Sequence, residues 1–533
     1  MQDSSGTTWP SASGQHPPGT VLLDDVTAAH SRTILQPVPS SDPNDPLNWT
    51  RMRKNVNFGL ACAYTFVVYV VIDIATVVYG QVKDELGFSF QELNQSFAVS
   101  NAGLGLGGVL FIPFALCFGR RPVYLASIAV MVGTTVWQAR MQTLADLYGF
   151  NFVCGLAGSV GEIICAMTIA DLFFVSQRGA KTYILTIALN TGTFLAPVAA
   201  GYIATALGWR WIWWWSVILS GVLLVIFIFF YEETIFNPSP YPTAATDEPG
   251  THDAEKAMLA EVDSRSPFRP PIRLDIPLRP YRARLALFTR TDSSPRSLFR
   301  HVYQPFIILA TFPGVAFVAL VFGSLLAWLA IALNVQATYF TMPPYNFSSS
   351  GVGLLNIPTL IGCLLGGLFG GHLSDYSIKW LARRNGGLYE PEMRLWLAFP
   401  AILIAPAGYF MFGFSIAKGM PWPVPAVGLG VYGFGSAALG NITLVYLVDS
   451  YRDVIGEAYI GVIFVRNAFG VVGAMCLTPW VERMGLYNMF VCSGCLSIAV
   501  SLLTVPMMIW GRQCRQWTAV RYTRMAGKQA EVR

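Results

Sequence analysis

Charged side chains are scarce in this chain: Asp, Glu, Lys and Arg together make 12% of its 533 residues, against 54% hydrophobic. Soluble domains carry about 25% charged residues, so lipid rather than water must solvate much of the surface. Histidine is rarer still, with 5 copies, and His301 and His372 stand alone near the ends of apolar runs. Without Ser/His/Asp, Cys/His or His-rich groupings, neither an enzyme nor a metal centre is expected. The nine cysteines fall mostly inside apolar runs, among them Cys62, Cys154, Cys165, Cys363 and Cys476, where they act as small hydrophobes and define no disulfide framework. Cys492 and Cys495 form a CxxC, but no neighbouring cation activates a thiol there. The first 50 residues are polar, rich in Ser and Pro, and lack an apolar h-region, so a disordered tail and no signal peptide are expected.

What the chain has in abundance is long apolar runs. A helix of about 20 apolar residues spans a bilayer. Twelve runs are long enough: 55–79, 95–117, 122–140, 146–172, 182–206 and 212–231, then 303–336, 350–375, 394–416, 423–448, 456–480 and 487–510. The fold expected is therefore an all-α membrane protein of twelve transmembrane helices in two six-helix halves. Residues 1–54 and 511–533 are its tails, 55–231 and 303–510 its halves, and 232–302 the central loop. Basic residues collect at alternate ends of the runs, as at Arg51, Arg53 and Lys54, Arg120 and Arg121, Arg178 and Lys181, Arg383 and Arg384, and Arg512 to Arg524. The positive-inside rule then places both termini and the central loop in the cytoplasm. The net charge of +5 is explained by this placement rather than by nucleic acid. The central loop turns from acidic (Asp247 to Glu255) to basic (Arg265 to Arg300). Its stretch from Arg279 to His301 suits either an anionic inner leaflet or a solvated tether.

Ionisable residues deep in a membrane helix are costly unless they face a cavity or a partner, and so mark function. Glu162 and Arg466 each lie about ten residues from the inner ends of the fourth and eleventh runs, near the midplane, while Asp73 lies nearer the outer end of the first. Glu162 is the candidate for proton or cation coupling, Arg466 for a cavity charge or a pin between the halves, and Asp73 for binding. Asn334, Gln336 and Asn356 offer neutral hydrogen bonds to a substrate or to neighbouring helices. The glycines from Gly103 to Gly108 lack the strand that a dinucleotide fingerprint needs and are read as helix packing.

The six-plus-six hydropathy repeat is the parallel-repeat pattern of major facilitator transporters. The fifth run carries Gly192, Ala196, Pro197, Ala200 and Gly201, followed by Gly208-Trp209-Arg210-Trp211. That stretch resembles the motif of proton-coupled antiporters of the major facilitator superfamily, with Ala at two positions where the motif often has Gly. The superfamily's Gly-x-Leu-x-Asp with a basic tail recurs as Gly371-His-Leu373-Ser-Asp375 with Arg383 and Arg384. Its first copy is altered, with Leu116 where the family has an acidic residue, although Arg120 and Arg121 remain. The Asp45 to Trp49 and Gly119 to Pro122 runs, with Val-Arg-Asn in the eleventh span, are similar to fungal twelve-span drug:proton antiporters, and the resemblance covers nearly the whole chain from about residue 42. Carboxylates at helix C-termini oppose the dipole and need cations. Asp171 is therefore expected to pair with Arg120 or Arg121, and Asp449 with Arg383 or Arg384, as inner-face latches of alternating access.

The resemblance implies export of a drug, toxin or secondary metabolite in exchange for protons at the plasma membrane, with the proton gradient as energy source and no cofactor. The expected partners are the small-molecule substrate and the lipid bilayer, with no nucleic acid, and the expected state is a monomer. Proton-driven uptake of polyamines or other organic cations, and a non-transporting membrane sensor, are the alternative readings. Asn346 and Asn94 lie in sequons of loops expected outside, and are the candidate glycosylation sites.

Overall fold

The computed structural model describes residues 17–22, 40–236, 276–287, 295–385 and 388–530. Among them eleven segments are long and apolar enough to cross a membrane. The last, Ile455–Met525, is 71 residues long and doubles back at Gly485, whose φ of 75° breaks the helix. The return brings Tyr522 to within 6.2 Å, ring to ring, of Tyr451, which precedes the segment. It therefore supplies the eleventh and twelfth crossings.

The first span is Arg51–Asp73, continued through a 3-10 turn, Ile74–Val78, into Tyr79–Leu86. The second to sixth follow as Phe90–Phe118, Arg120–Ala139, Leu144–Gly158 with Val160–Leu172, Val175–Leu207, and Arg210–Phe230. Pro295–Thr311 leads into the seventh, Pro313–Tyr339. The eighth comprises Ser349–Leu354, Asn356–Leu368, a π turn at Phe369–Leu373 and Ser374–Arg384. The ninth and tenth are Pro391–Leu397 with Ala398–Ala417, and Pro423–Ser450. Local chemistry sets several starts. Ser89 with Glu92 and Thr143 with Asp146 form capping boxes, and Pro313, Pro391 and Pro423 occupy first-turn positions where a missing N–H costs nothing.

At the face opposite the termini the two halves share one apolar core. It joins Val77, Val78 and Trp213 of the first half to Trp328, Ile331 and Phe490 of the second. At the face carrying the termini each half keeps its own core, around Tyr64, Tyr124 and Phe227 in one and Phe312, Tyr446 and Tyr451 in the other. A small cluster, Ile112 and Ile163 against Ile460 and Ile463, bridges them there, and Leu116 packs on it. Leu116, standing where the family has a carboxylate, thus contributes an apolar contact between the halves. The halves thus share one core at the far face, whereas at the terminal face their separate cores are joined only through this small cluster among the core clusters of the described residues.

The tail expected to be disordered is docked in two places. Residues 40–49 fold under the first half, with Asn48 Nδ2 donating to the Ser40 and Asp42 carbonyls and Lys54 Nζ to the Leu47 carbonyl. Val21 and Leu22 pair antiparallel with Tyr389 and Leu388 of the second half. Within the central loop, the short helix Tyr281–Arg284 is pinned beneath the third and sixth spans by Arg121, which donates to the Leu285 carbonyl.

Candidate functional site

Glu162 and Arg466 meet. The guanidinium Nη2 of Arg466 donates to Glu162 Oε1, joining the fourth span of one half to the eleventh of the other. Asn467 Nδ2 donates to the second carboxylate oxygen at 3.1 Å, and the Tyr69 hydroxyl of the first span donates to the first at 2.6 Å. Both oxygens are therefore satisfied although the Glu162 side chain is only 2% exposed. Arg466 also lies 5.5 Å over the Phe322 ring of the seventh span, and its Nε is buried without a hydrogen-bond partner among the described residues. Removing one member of such a pair strands the other charge, at a cost of about 3–5 kcal/mol. The pair is thus a charged contact between the two halves.

Asp73 is half-buried at the end of the first span's main helix, one turn beyond Tyr69 and within electrostatic range of Glu162. Asn334 and Asn356 bond carbonyls of their own helices, whereas Gln336 Nε2 ties the seventh span to the Val352 carbonyl of the eighth at 3.1 Å.

The small residues of the fifth span make close contacts along its length. A Cβ on Gly192 would lie 2.7 Å from the Phe66 carbonyl of the first span, and one on Gly201 would lie 2.5 Å from the Ser349 carbonyl of the eighth. Gly353 approaches the Pro197 carbonyl equally closely, while Ala196 and Ala200 are buried in the shared core. From Pro197 to Gly201 this stretch is thus a close seam between the halves at the far face.

At the terminal face Asp171 pairs with Arg120, Nε to Oδ2 at 3.1 Å, and also accepts from Thr234. Arg121 serves instead the carbonyls of Ile228 and Tyr231 at the end of the sixth span. In the second half the expected partners of Asp449 are wrong. Arg383 and Arg384 are exposed, Arg384 stacking over Trp380, at the opposite end of the helix Ser374–Arg384 from the Ser374 that Arg394 touches. Asp449 is bound by Arg394, at the entrance to the ninth span, and by the Tyr389 hydroxyl, each at 2.5 Å. Arg394 also donates to Ser374, within the Gly371 to Asp375 motif. Gly371 lies in the π turn with open space around it. The Asp375 and His372 side chains lie outside the described residues. His301 is not alone, its Nδ1 lying 3.7 Å from Glu457.

Several groups escaped the sequence reading. Glu233 accepts the backbone N–H groups of Arg120 and Arg121 and so caps the third span. Glu392 holds Arg515 through two bonds of 2.8 and 2.6 Å. Tyr69 carried no signal, being one aromatic among many. Of the two sequons, Asn346 is exposed in the loop between the seventh and eighth spans. Asn94 is a correction: it is buried inside the second span, which starts at its Ser89 cap and not after the sequon.

Residues 61–474 match the family model of the Major Facilitator Superfamily. The chain is 31% identical to an uncharacterized MFS-type transporter of Schizosaccharomyces pombe, over 95% of this chain and 94% of that protein. It is 28% identical to Protein HOL1 of Saccharomyces cerevisiae, over 94% and 93%, and 26% identical to Efflux pump radE of Floropilus chiversii, over 92% and 86%. A multi-pass helical membrane protein with these relatives is a transporter rather than an enzyme, and the chain belongs to the major facilitator superfamily.

Proposed function

We propose that the protein exports a small organic molecule in exchange for protons, by alternating access across the plasma membrane with both termini in the cytoplasm. The observation that carries this reading is the Glu162–Arg466 pair, a buried carboxylate bonded across the two halves. A charged Glu162 ties the halves together, and a protonated Glu162 releases Arg466. Proton binding is thereby linked to the relative position of the halves, which is what coupling requires. Arg466, with one donor unused, and Asp73, one turn from Tyr69, supply further polar contacts for a substrate in the same region. Arg120 with Asp171 and Arg394 with Asp449 act as the two latches on the cytoplasmic side. The name of the radE relative favours export. The proton gradient is the energy source, with no cofactor, and the monomer is the working unit.

The deciding experiment is solute counterflow in proteoliposomes with an imposed pH gradient, screened with candidate metabolites. Protons moving opposite to a labelled solute support the proposal. Co-movement would make the protein an uptake permease, and solute movement indifferent to the pH gradient would refute proton coupling.

A further inference from the structure

The tail segment docked on the second half bears on the latch there. Arg515 is fully buried, and its charge is balanced by both oxygens of Glu392. Its Nη1 donates to the Pro18 carbonyl and, at 3.2 Å, to Thr20 Oγ1. Between these, Gly19 has a φ of 84° and is pressed onto the end of the tenth span. A Cβ there would lie 2.5 Å from the Asp449 carbonyl oxygen and 3.1 Å from Ser450 Cα. Val21 and Leu22 then extend as a strand on Tyr389 and Leu388. The inner face of the second half is thus a peptide-binding surface of a recognisable kind: a strand edge gives main-chain pairing, and a preset arginine takes a main-chain carbonyl. Its occupant is the chain's own residues 17–22, which reach it from the first half, where residues 40–49 are fixed.

Tyr389 links this surface to the latch. Its backbone pairs with Val21, while its hydroxyl donates to the Asp449 carboxylate that Arg394 also holds. We propose that residues 17–22 are a positioning element for the Arg394–Asp449 pair. Docked, they fix Tyr389 and the end of the tenth span, and so favour the arrangement with separated cores at the terminal face. Released, they leave the pair free to reorganise as the cycle proceeds. This rests on the reading of Asp449 and Arg394 as a latch.

The test uses the full chain in lipid nanodiscs. Gly19→Val removes docking without replacing any residue of a span, because valine neither tolerates that φ nor fits against the Asp449 carbonyl. Hydrogen exchange at residues 388–390 should then accelerate by about tenfold or more. A peptide of residues 15–24 should restore protection to a variant lacking residues 1–22. Spin labels at Met52→Cys and Tyr376→Cys, both exposed on the terminal face, should show the ratio of the two main distance populations shifting by about threefold in Gly19→Val. Unchanged exchange would show that the segment does not dock. Faster exchange with unchanged spin-label distances would show docking without positioning, and either result overturns the proposal. Asp449→Asn in the same labelled protein tests the latch separately. If it leaves the distances unmoved while Gly19→Val shifts them, the latch reading fails and the tail acts on the halves by another route.

Discussion

Glu162 is the only carboxylate among the described residues bonded at once to the first span, through Tyr69, and to the eleventh, through Arg466 and Asn467. Its ionisation is therefore felt by both halves. Glu162→Gln keeps the shape and the capacity to accept from Tyr69, but removes the charge that Arg466 answers. The variant should lose proton-driven accumulation in proteoliposomes while retaining solute exchange without a gradient. Full uphill transport at every pH would move the coupling role to Asp73. Arg394 gives a second expectation. Arg394→Ala and Asp449→Asn should each lower the maximal rate roughly tenfold, equivalent to about 1.4 kcal/mol in the barrier, with the half-saturating concentration little changed. The two changes should be non-additive, since they break one pair. A collapse of affinity with an unchanged rate would place this pair in the binding site.

The helices were legible from hydropathy, because a long apolar run is conspicuous and its length is set by the bilayer. Glu162 and Arg466 were legible for the same reason, a charge inside such a run being costly. The partner of Asp449 was not. Arg383, Arg384 and Arg394 are alike in sequence, and only their placement in the fold separates the exposed pair from the half-buried arginine that reaches Asp449. The Asn94 sequon was misplaced because the second span starts five residues earlier than hydropathy suggests, at a capping box whose Ser89 and Glu92 were there to be read. The fifth span's small residues were legible as a packing face, but the eighth span as their partner was not, since spacing gives no address. That contact makes its own prediction. Gly201→Val would drive a side chain into the Ser349 carbonyl and prevent the far face from closing. Labels at Leu207→Cys and Trp422→Cys, exposed near the far-face ends of the two halves, should separate by several ångström, and transport should be lost. Unchanged distances with normal transport would show that this seam is not a closing surface.

Taken whole, the molecule is asymmetric from face to face: one shared core at the far side, two at the side of the termini. The same face gathers the charge. Arg53 with Glu232, Arg120 with Asp171, Arg394 with Asp449 and Arg515 with Glu392 all lie there, along with the docked pieces of the tail and central loop. Basic residues resist transfer across a bilayer, so this should be the cytoplasmic side, and the loop 342–348 should lie outside. Asn346 is exposed in that loop, and its sequon should accept a glycan in a eukaryotic secretory pathway. Asn94, buried in a helix, should not. An endoglycosidase-sensitive mobility shift that disappears in Asn346→Gln and persists in Asn94→Gln is the expected result. The outcome that overturns this topology is a pair of terminal tags that antibodies reach on intact cells. In that case the charged network, and both latches with it, would face outward.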